Sequence, residues 1–262
     1  MKAHRIKAVV RRHLYEARRN FDRISEIVYW PVIDIVVWGF LTVYLARQDV
    51  LGPTVFSFLL GATILWGAFF AFQRDVALGF LDELWARNLL NLFSSPLTIP
   101  EYMTGLIAVN FFKMASGFLA ASLLAFAFYS FNIFPFALPL LPFFFNLLLF
   151  ALAVGVMITA MILRYSTKIQ TLAWGFAGLL QPVSCVFYPL ATLPKFLQFV
   201  AWLMPATHSF EGMRQILAGG SFSYLHFWWG LGLNFIYFAF AFILFGFILK
   251  VAKTKGLFVK FE

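Results

Sequence analysis

Residues 53–72 read PTVFSFLLGATILWGAFFAF, an apolar run without a charged side chain. Twenty helical residues rise about 30 Å, which matches the hydrocarbon thickness of a bilayer, so the run is expected to cross a membrane as a helix. The whole chain shares this character, because 62% of its 262 residues are apolar and only 12% are charged. Soluble domains carry about 25% charged residues. The sequence therefore predicts an all-α integral membrane protein.

Further runs of similar length occur along the chain, and we predict six transmembrane helices in all. The predicted crossings are residues 27–46, 53–72, 102–130, 138–163, 169–187 and 225–250. The third is preceded by Thr98 and Glu101, whose spacing predicts a capping box at its first turn. We treat residues 1–262 as a single transmembrane domain.

The distribution of Lys and Arg predicts the orientation of these helices, since basic residues concentrate on the cytoplasmic side. With a cytoplasmic N-terminus, sixteen of the 20 basic residues fall in cytoplasmic segments, whereas Arg47, Lys195 and Arg214 lie outside. We therefore expect a multi-pass protein of the cell membrane (plasma or inner membrane) with both termini in the cytoplasm. Because the basic residues flank apolar runs, the net charge of +9 is not read as a sign of nucleic-acid binding.

Two segments are predicted to lie at the membrane without crossing it. Residues 1–26 contain a basic helix that would rest in the cytoplasmic interface and contact membrane lipids, unless its charges only fix the orientation. Its apolar side is formed by Ile6, Val9, Val10, His13, Leu14 and Ala17. Residues 188–222 are apolar but interrupted by Pro189, Pro194 and Pro205. The pieces between them are too short to cross, so we predict two short re-entrant helices at the outer face, with a surface loop as the alternative.

Residues 73–100 are predicted to form a cytoplasmic loop that contains a short amphipathic helix. Within it, residues 81–93 read LDELWARNLLNLF and have a helical apolar pattern, which Ser-Ser-Pro then ends. Glu83 and Arg87 are spaced for an ion pair within this helix. A soluble partner that binds the helix could move both adjoining spans together, whereas the alternative is a helix that rests passively on the bilayer. The candidate contact residues are Leu81, Asp82, Glu83, Leu84, Trp85, Arg87, Asn88 and Asn91.

Asp34 and Lys113 are charged residues inside predicted spans. A charge at the centre of a bilayer costs about 2.5–3.5 kcal/mol on insertion scales, so each is expected to face protein or water. We consider both as candidates for a translocation path, with snorkelling to the interface as the alternative. The 36 Phe and 8 Trp residues also have two interpretations. Their rings could line a translocation path, or they could anchor the ends of the spans at the membrane interface. Trp30 and Trp38 lie near such an end.

His208, Glu211 and Arg214 follow one another at intervals of three residues. His208 and Glu211 could contact a metal, but without a third ligand we expect no metal site and instead a Glu211–Arg214 ion pair. An acid–base role of His208 and Glu211 in a membrane-embedded lipid-modifying enzyme is the alternative. The sequence has neither a G-x-S-x-G nor a G-x-x-x-x-G-K-[ST] motif, so we predict no catalytic residue and no ATP hydrolysis by this chain.

The order of these parts resembles the type-2 ABC exporter permeases. The most specific part is residues 185–217, CVFYPLATLPKFLQFVAWLMPATHSFEGMRQIL. The resemblance implies that helix 81–93 docks onto a separate ATP-binding cassette subunit, which binds ATP and Mg while this chain binds no cofactor. It also implies two such subunits and a second permease, which is expected to form a homodimer with this one. The outer helices would shape the exit, with gate candidates Tyr188, Pro189, His208, Glu211 and Arg214.

The resemblance allows several cargoes. They are lipid-linked glycans, glycolipids and amphipathic drugs. Short outer loops, the basic N-terminal helix and the aromatic content favour export of a glycan or glycolipid from the cytoplasm or inner leaflet. Drug or antibiotic efflux by a similar permease is the first alternative, and a passive channel is another.

Overall fold

The computed structural model describes residues 1–19, 21–48, 52–86 and 88–254. Helices joined by short loops make up most of these ranges, in which there is no β-strand. The α-helices are α1 Ala3–Arg19, α2 Phe21–Arg47, α3 Pro53–Trp85, α4 Leu89–Ser94, α5 Ile99–Tyr129, α6 Ala137–Tyr165, α7 Thr171–Leu180, α8 Lys195–Trp202, α9 Pro205–Leu217 and α10 Tyr224–Thr254. The predicted all-α class is confirmed.

Five helical segments of the described chain are long and apolar enough to cross a membrane. They are Tyr29–Arg47, Thr54–Glu83, Ile99–Tyr129, Phe134–Tyr165 and Tyr224–Ala252. Each overlaps one of the predicted crossings. The capping box predicted at Thr98 and Glu101 is present at the start of α5, where the two residues satisfy each other's backbone N–H groups.

The apolar run 169–187 does not form the single long helix that its hydropathy predicts. α7 has only 10 residues, which rise about 15 Å. A 3-10 turn at Pro182–Ser184 follows, because Pro182 has no backbone N–H with which to continue the α-helix. Cys185 then has a left-handed φ of 54° and turns the chain away from the helix direction.

The second predicted crossing continues well beyond residue 72. α3 has 33 residues, because positions 73–85 contain no proline and remain packed among other helices. Gln73 and Arg74 are buried, so these polar side chains pack against neighbouring helices. The separate helix expected over 81–93 is therefore wrong: residues 81–85 end α3, and only the 6 residues of α4 form a helix of their own.

α6 is the central helix and packs against α3, α9 and α10. Gly155 allows the close approach to α3, since a Cβ there would lie 2.9 Å from Cβ of Val76. Asn146 Nδ2 donates to the Phe227 carbonyl at 3.1 Å, and Asn234 Nδ2 donates to the Asn146 carbonyl at 3.0 Å, which ties α6 to α10 in apolar surroundings. α10 leaves apolar side chains exposed, as a lipid-facing helix does, among them Phe235, Ile236, Phe240, Phe242 and Ile243.

Candidate functional sites

α1 packs against α5 and α2 at one end of the bundle, where α3 ends and α5 begins; we call this region the α1 end. The Glu83 carboxylate of α3 is 2% exposed and lies 2.7 Å from the Arg12 guanidinium of α1. Asn88 Nδ2 donates to the same carboxylate at 2.8 Å. A carboxylate so deeply buried requires partners of this kind. The predicted Glu83–Arg87 pair involves a residue outside the described ranges, and Glu83 is engaged by α1 instead.

A second carboxylate joins α1 to the start of α5. Glu101 accepts a hydrogen bond from the backbone N–H of Lys2 at 2.7 Å and from Arg5 Nη1 at 3.3 Å. It also accepts the Thr98 N–H at 3.0 Å as part of the capping box. One side chain therefore caps α5 and fixes the beginning of α1.

Apolar contacts fill the space between these two anchors. Val9 packs so closely on α5 that a Cβ at Gly105 would lie 2.7 Å from its Cγ1. Tyr102 is fully buried beside α1, and its hydroxyl donates to the Gly79 carbonyl of α3 at 2.9 Å. His13 is also buried, and this burial lowers its pKa below the usual 6.5 although Glu16 opposes the shift. Part of the apolar side predicted to face lipid thus faces protein.

The predicted partner-binding residues divide into buried and exposed groups. Leu81 and Glu83 are buried inside the protein, and Asp82 and Asn88 are half-buried. The Leu84 side chain and Arg87 lie outside the part that the structure describes. The exposed positions of the segment include Trp85, Asn91, Ser94, Ser95 and Pro96. These five form what we call the exposed edge of the α3–α5 connection.

Asp34 and Lys113 line one cavity between α2, α3 and α5, which we call the charged cavity. Arg74 and Asp75 also line it, and Arg74 donates from Nε and Nη2 to Asp75 Oδ1 at 3.0 Å in each case. Within the described ranges, the side chains of Asp34 and Lys113 form neither an ion pair nor a hydrogen bond. The structure therefore brings these two predicted residues to the same cavity without pairing them.

A larger cavity of about 240 Å³ adjoins the charged cavity and lies between α2, α3 and α7. We call it the aromatic cleft. It is lined by Trp30, Asp34, Trp38, Thr63, Trp66, Phe70, Trp174, Gly178, Gln181 and Phe187. Trp38 and Phe187 stack with their ring centroids 4.6 Å apart. Because Trp30, Asp34, Thr63 and Phe70 border both cavities, the two spaces are neighbours along the bundle. Trp30 and Trp38 thus line a cavity, a role that their position near a span end did not reveal.

At the opposite end of α3 and α6, which we call the α9 end, the predicted Glu211–Arg214 ion pair is present at 2.6 Å. Glu211 Oε1 also accepts the Leu190 N–H at 2.7 Å, and Arg214 Nη2 donates to the Cys185 carbonyl at 3.2 Å. The Arg214 guanidinium lies 4.2 Å from the ring centroid of Phe58. The pair holds the preceding loop onto α9. Among the three other gate candidates, the Tyr188 hydroxyl donates to the Pro182 carbonyl, and Pro189 precedes a 3-10 turn at Leu190–Thr192.

His208 bridges α8 and α10. Its Nε2 lies 2.9 Å from the Trp202 carbonyl, and its Nδ1 lies 3.0 Å from Nδ1 of His226. Because a carbonyl only accepts, we assign the proton to His208 Nε2, so that His208 Nδ1 accepts from His226. Burial lowers the pKa of His208, which favours this neutral form. His208 and Glu211 thus have separate partners, and no group of three metal-binding side chains occurs among the residues described.

The ABC-2 type transporter family matches residues 4–218, which cover α1 to α9. The protein belongs to the ABC-2 type transporter family. It is thus a multi-pass membrane protein and the permease subunit of an ABC transporter, and permeases of this family work with an ATP-binding subunit. No curated protein matches the sequence of this permease.

The contacts that organise this permease at its α1 end were only partly visible in its sequence. The cap formed by Glu101 follows from local spacing, but its bonds to Lys2 and Arg5 join residues far apart in the chain. The Arg12–Glu83 pair has no local signal either, because both residues also occur in ordinary amphipathic patterns. His226 was likewise missed, since its partner lies on a different helix.

Proposed function

We propose that this permease is the membrane half of an ATP-driven exporter and that its ATP-binding subunit docks at the α1 end. One observation carries the proposal: the exposed edge belongs to the short connection, including α4, that joins the end of α3 to the beginning of α5. A force applied to Trp85 or Asn91 therefore reaches two long membrane helices. The docked subunit would bind ATP and Mg, and two copies of it would serve two identical permeases.

The proposed topology has six crossings with both termini in the cytoplasm. α7 and the chain through residue 187 would make the fifth crossing, and α8 and α9 would lie at the outer face. The distribution of Lys and Arg supports this orientation, because α1 alone carries several basic residues and lies beside the exposed edge.

The proposed cargo is a lipid-linked glycan or glycolipid that moves from the inner leaflet through the aromatic cleft toward the α9 end. Flat rings such as Trp30 and Trp38 offer faces for sugar rings, and Asp34, Thr63 and Gln181 offer hydrogen bonds to hydroxyl groups. Efflux of amphipathic drugs is the alternative use of the same cleft, because its apolar walls accept their ring systems equally well.

Docking is tested by co-purification. A double variant, Trp85→Ala with Asn91→Ala, is expected to reduce the ATPase activity that co-purifies with the tagged permease from its native membrane. Trp228→Ala is the matched control, because Trp228 is also an exposed tryptophan but lies at the start of α10. Equal ATPase recovery with both variants would contradict docking at the exposed edge.

Orientation is tested by cysteine labelling in intact cells. Cys185 is the one native cysteine and is buried, so added cysteines can be read without removing it. Ala191→Cys is expected to react with an impermeant maleimide from outside, whereas Asn91→Cys reacts only after the membrane is opened. Labelling of Asn91→Cys in sealed cells would rule out the proposed topology.

A further inference from the structure

We propose that the aromatic cleft is a binding site for an organic ammonium group, held between the Asp34 carboxylate and the faces of the surrounding rings. This inference rests on the proposed export function, because it specifies the charge of the cargo group that enters the cleft. Its chemical basis is independent of that function and lies in the charges and rings described below.

The charge of the cleft comes from Asp34. Among the described residues that line it, Asp34 is the one ionisable side chain. Its carboxylate has no ion pair and no hydrogen bond within the described ranges, although it lies on a helix long enough to span a bilayer. A carboxylate in such surroundings attracts a positive charge strongly, because the medium screens it weakly.

The rings of the cleft add a second attraction for a cation. Trp30, Trp38 and Trp66 line the cavity around Asp34, and indole faces attract cations within about 6 Å of the ring centroid. Two other rings of the cleft already contact a cation: the Arg74 guanidinium lies 5.5 Å from the centroid of Phe70 and 5.4 Å from that of Trp174. Phe70 and Trp174 are therefore already engaged by Arg74, and the tryptophans left for a cationic ligand are Trp30, Trp38 and Trp66.

The neighbouring positive charges leave room for a further cation. Arg74 lines the charged cavity and not the cleft, and Asp75 balances its charge through two hydrogen bonds. Lys113 is the competitor for Asp34, because both border the charged cavity, but the two side chains form no ion pair. The cleft side of Asp34 remains available to a ligand.

These features predict the order in which the aromatic cleft binds different chemical groups. An ammonium group binds best, a neutral sugar binds more weakly through the rings and through Thr63 and Gln181, and an anion is repelled by Asp34. Two sources could supply the ammonium group: an amino sugar on a glycolipid, or an aliphatic amine in an amphipathic drug. The experiment must therefore measure both.

Four short probes with the same chain separate these possibilities: hexyltrimethylammonium, hexyl glucosaminide, hexyl glucoside and hexyl phosphate. Binding to the full-length permease in nanodiscs is measured by titration calorimetry, with empty nanodiscs subtracted. We expect saturable binding of at least one ammonium probe about tenfold tighter than hexyl glucoside. Preference for hexyl glucosaminide points to an amino sugar, and preference for hexyltrimethylammonium points to an amine.

Asp34→Asn keeps the shape of the side chain and removes its charge. We expect this variant to bind the ammonium probes no more tightly than hexyl glucoside, because the amide no longer attracts a positive charge but can still hydrogen-bond sugar hydroxyl groups. Lys113→Met, which removes the competing cation, is expected to retain or strengthen ammonium binding. Lys195→Met is the matched control, because Lys195 is an exposed lysine at the start of α8.

In the unmodified permease, equal affinities for the ammonium probes and hexyl glucoside would overturn the inference, and so would tighter binding of hexyl phosphate. Unchanged ammonium binding in Asp34→Asn would overturn it as well. Those results would leave docking of the ATP-binding subunit intact, because that is measured by co-purification. Conversely, loss of the docking result would leave the charge preference of the cleft standing as a property of the isolated permease.

Discussion

The two ends of this permease hold their charged residues in different ways. At the α1 end, Glu83 of α3 and Glu101 of α5 are paired with residues of α1, so each ion pair joins two helices. At the α9 end, Glu211 pairs with Arg214 on the same helix, and both residues also bond to nearby backbone. The first arrangement fixes the relative position of three helices, whereas the second stiffens one helix and its preceding loop.

This difference bears on how each end can move. A pair between helices stretches when one helix shifts, so the α1 end is able to couple displacements of α1, α3 and α5. A pair within one helix is unchanged by a rigid displacement of that helix. A rigid shift of α9 therefore leaves its own ion pair intact, and the contacts that such a shift changes are the His208–His226 hydrogen bond to α10 and the packing of Gly212 on Phe143 of α6.

The largest expected effect is at the contact between α9 and α6. Gly212→Ala would place a Cβ against the buried ring of Phe143. Because that ring has no free space into which to move, we expect a loss of about 2–3 kcal/mol in stability. The measurement is the thermal unfolding midpoint in detergent, followed by tryptophan fluorescence. Gly232→Ala is the control, since nothing lies within 4 Å of its Cβ position. Equal midpoints for the two variants would show that the α9 end is loosely packed.

The next effect concerns the contact between α1 and α3. A double-mutant cycle of Arg12→Gln and Glu83→Gln is expected to give a coupling energy of about 1–2 kcal/mol, because Glu83 is buried while Arg12 is 40% exposed and partly screened. Limited proteolysis should also show earlier cleavage within α1 in either single variant. A coupling energy near zero would mean that the Arg12–Glu83 ion pair does not hold α1 and α3 together, so the two ends would not differ in this respect.

A smaller effect is expected for the ion pair of the α9 end. Glu211→Gln keeps an oxygen that accepts the Leu190 N–H, and Arg214 keeps its contacts with Cys185 and Phe58. We expect a loss of about 1 kcal/mol or less. Hydrogen exchange of α9 should stay as slow as in the unmodified protein. Fast hydrogen exchange throughout α9 would contradict this expectation, because it would show that the Glu211–Arg214 pair contributes strongly to the stability of the helix.

The smallest effect is a pH dependence of the α1 end. Burial lowers the pKa of His13 below 6.5, so the undocked helix binds a proton more readily than the docked one. Docking of α1 is therefore fully stable above about pH 6.5 and weakens as the pH falls below it, by about 1 kcal/mol or less at pH 5.5. Hydrogen exchange of α1 amides at pH 7.5 and 5.5, corrected for intrinsic rates, measures this change. His13→Gln should remove the pH dependence, and the same pH dependence in that variant would assign it to another group.

Several features were predictable because they depend on local sequence. The apolar runs gave the membrane class, and the Thr98–Glu101 spacing gave the start of α5. Prolines at 194 and 205 predicted the two short pieces that became α8 and α9. The Glu211–Arg214 pair followed from helical spacing alone. Each of these depends on residues within one continuous stretch of the chain.

Other features could not be predicted because a polar residue in a membrane protein can lie at the exposed end of a helix or be buried between helices. Gln73 and Arg74 read as the end of a crossing, yet they are buried within α3. Leu81 and Glu83 read as the surface of a short amphipathic helix, yet they face α1 and the bundle. Hydropathy records the side chain and not its neighbours, so it cannot separate these cases.

By itself, the sequence determined that this protein is a helical membrane protein with short, proline-bounded helices before its last span, because hydrophobic length, capping and proline each act within one continuous stretch of the chain. Only the tertiary structure decided where α3 ends, which charges face one another, and that Asp34 shares a cleft with Trp174 of α7. Those outcomes depend on contacts between segments far apart in the chain, and their free energies arise only once the helices pack.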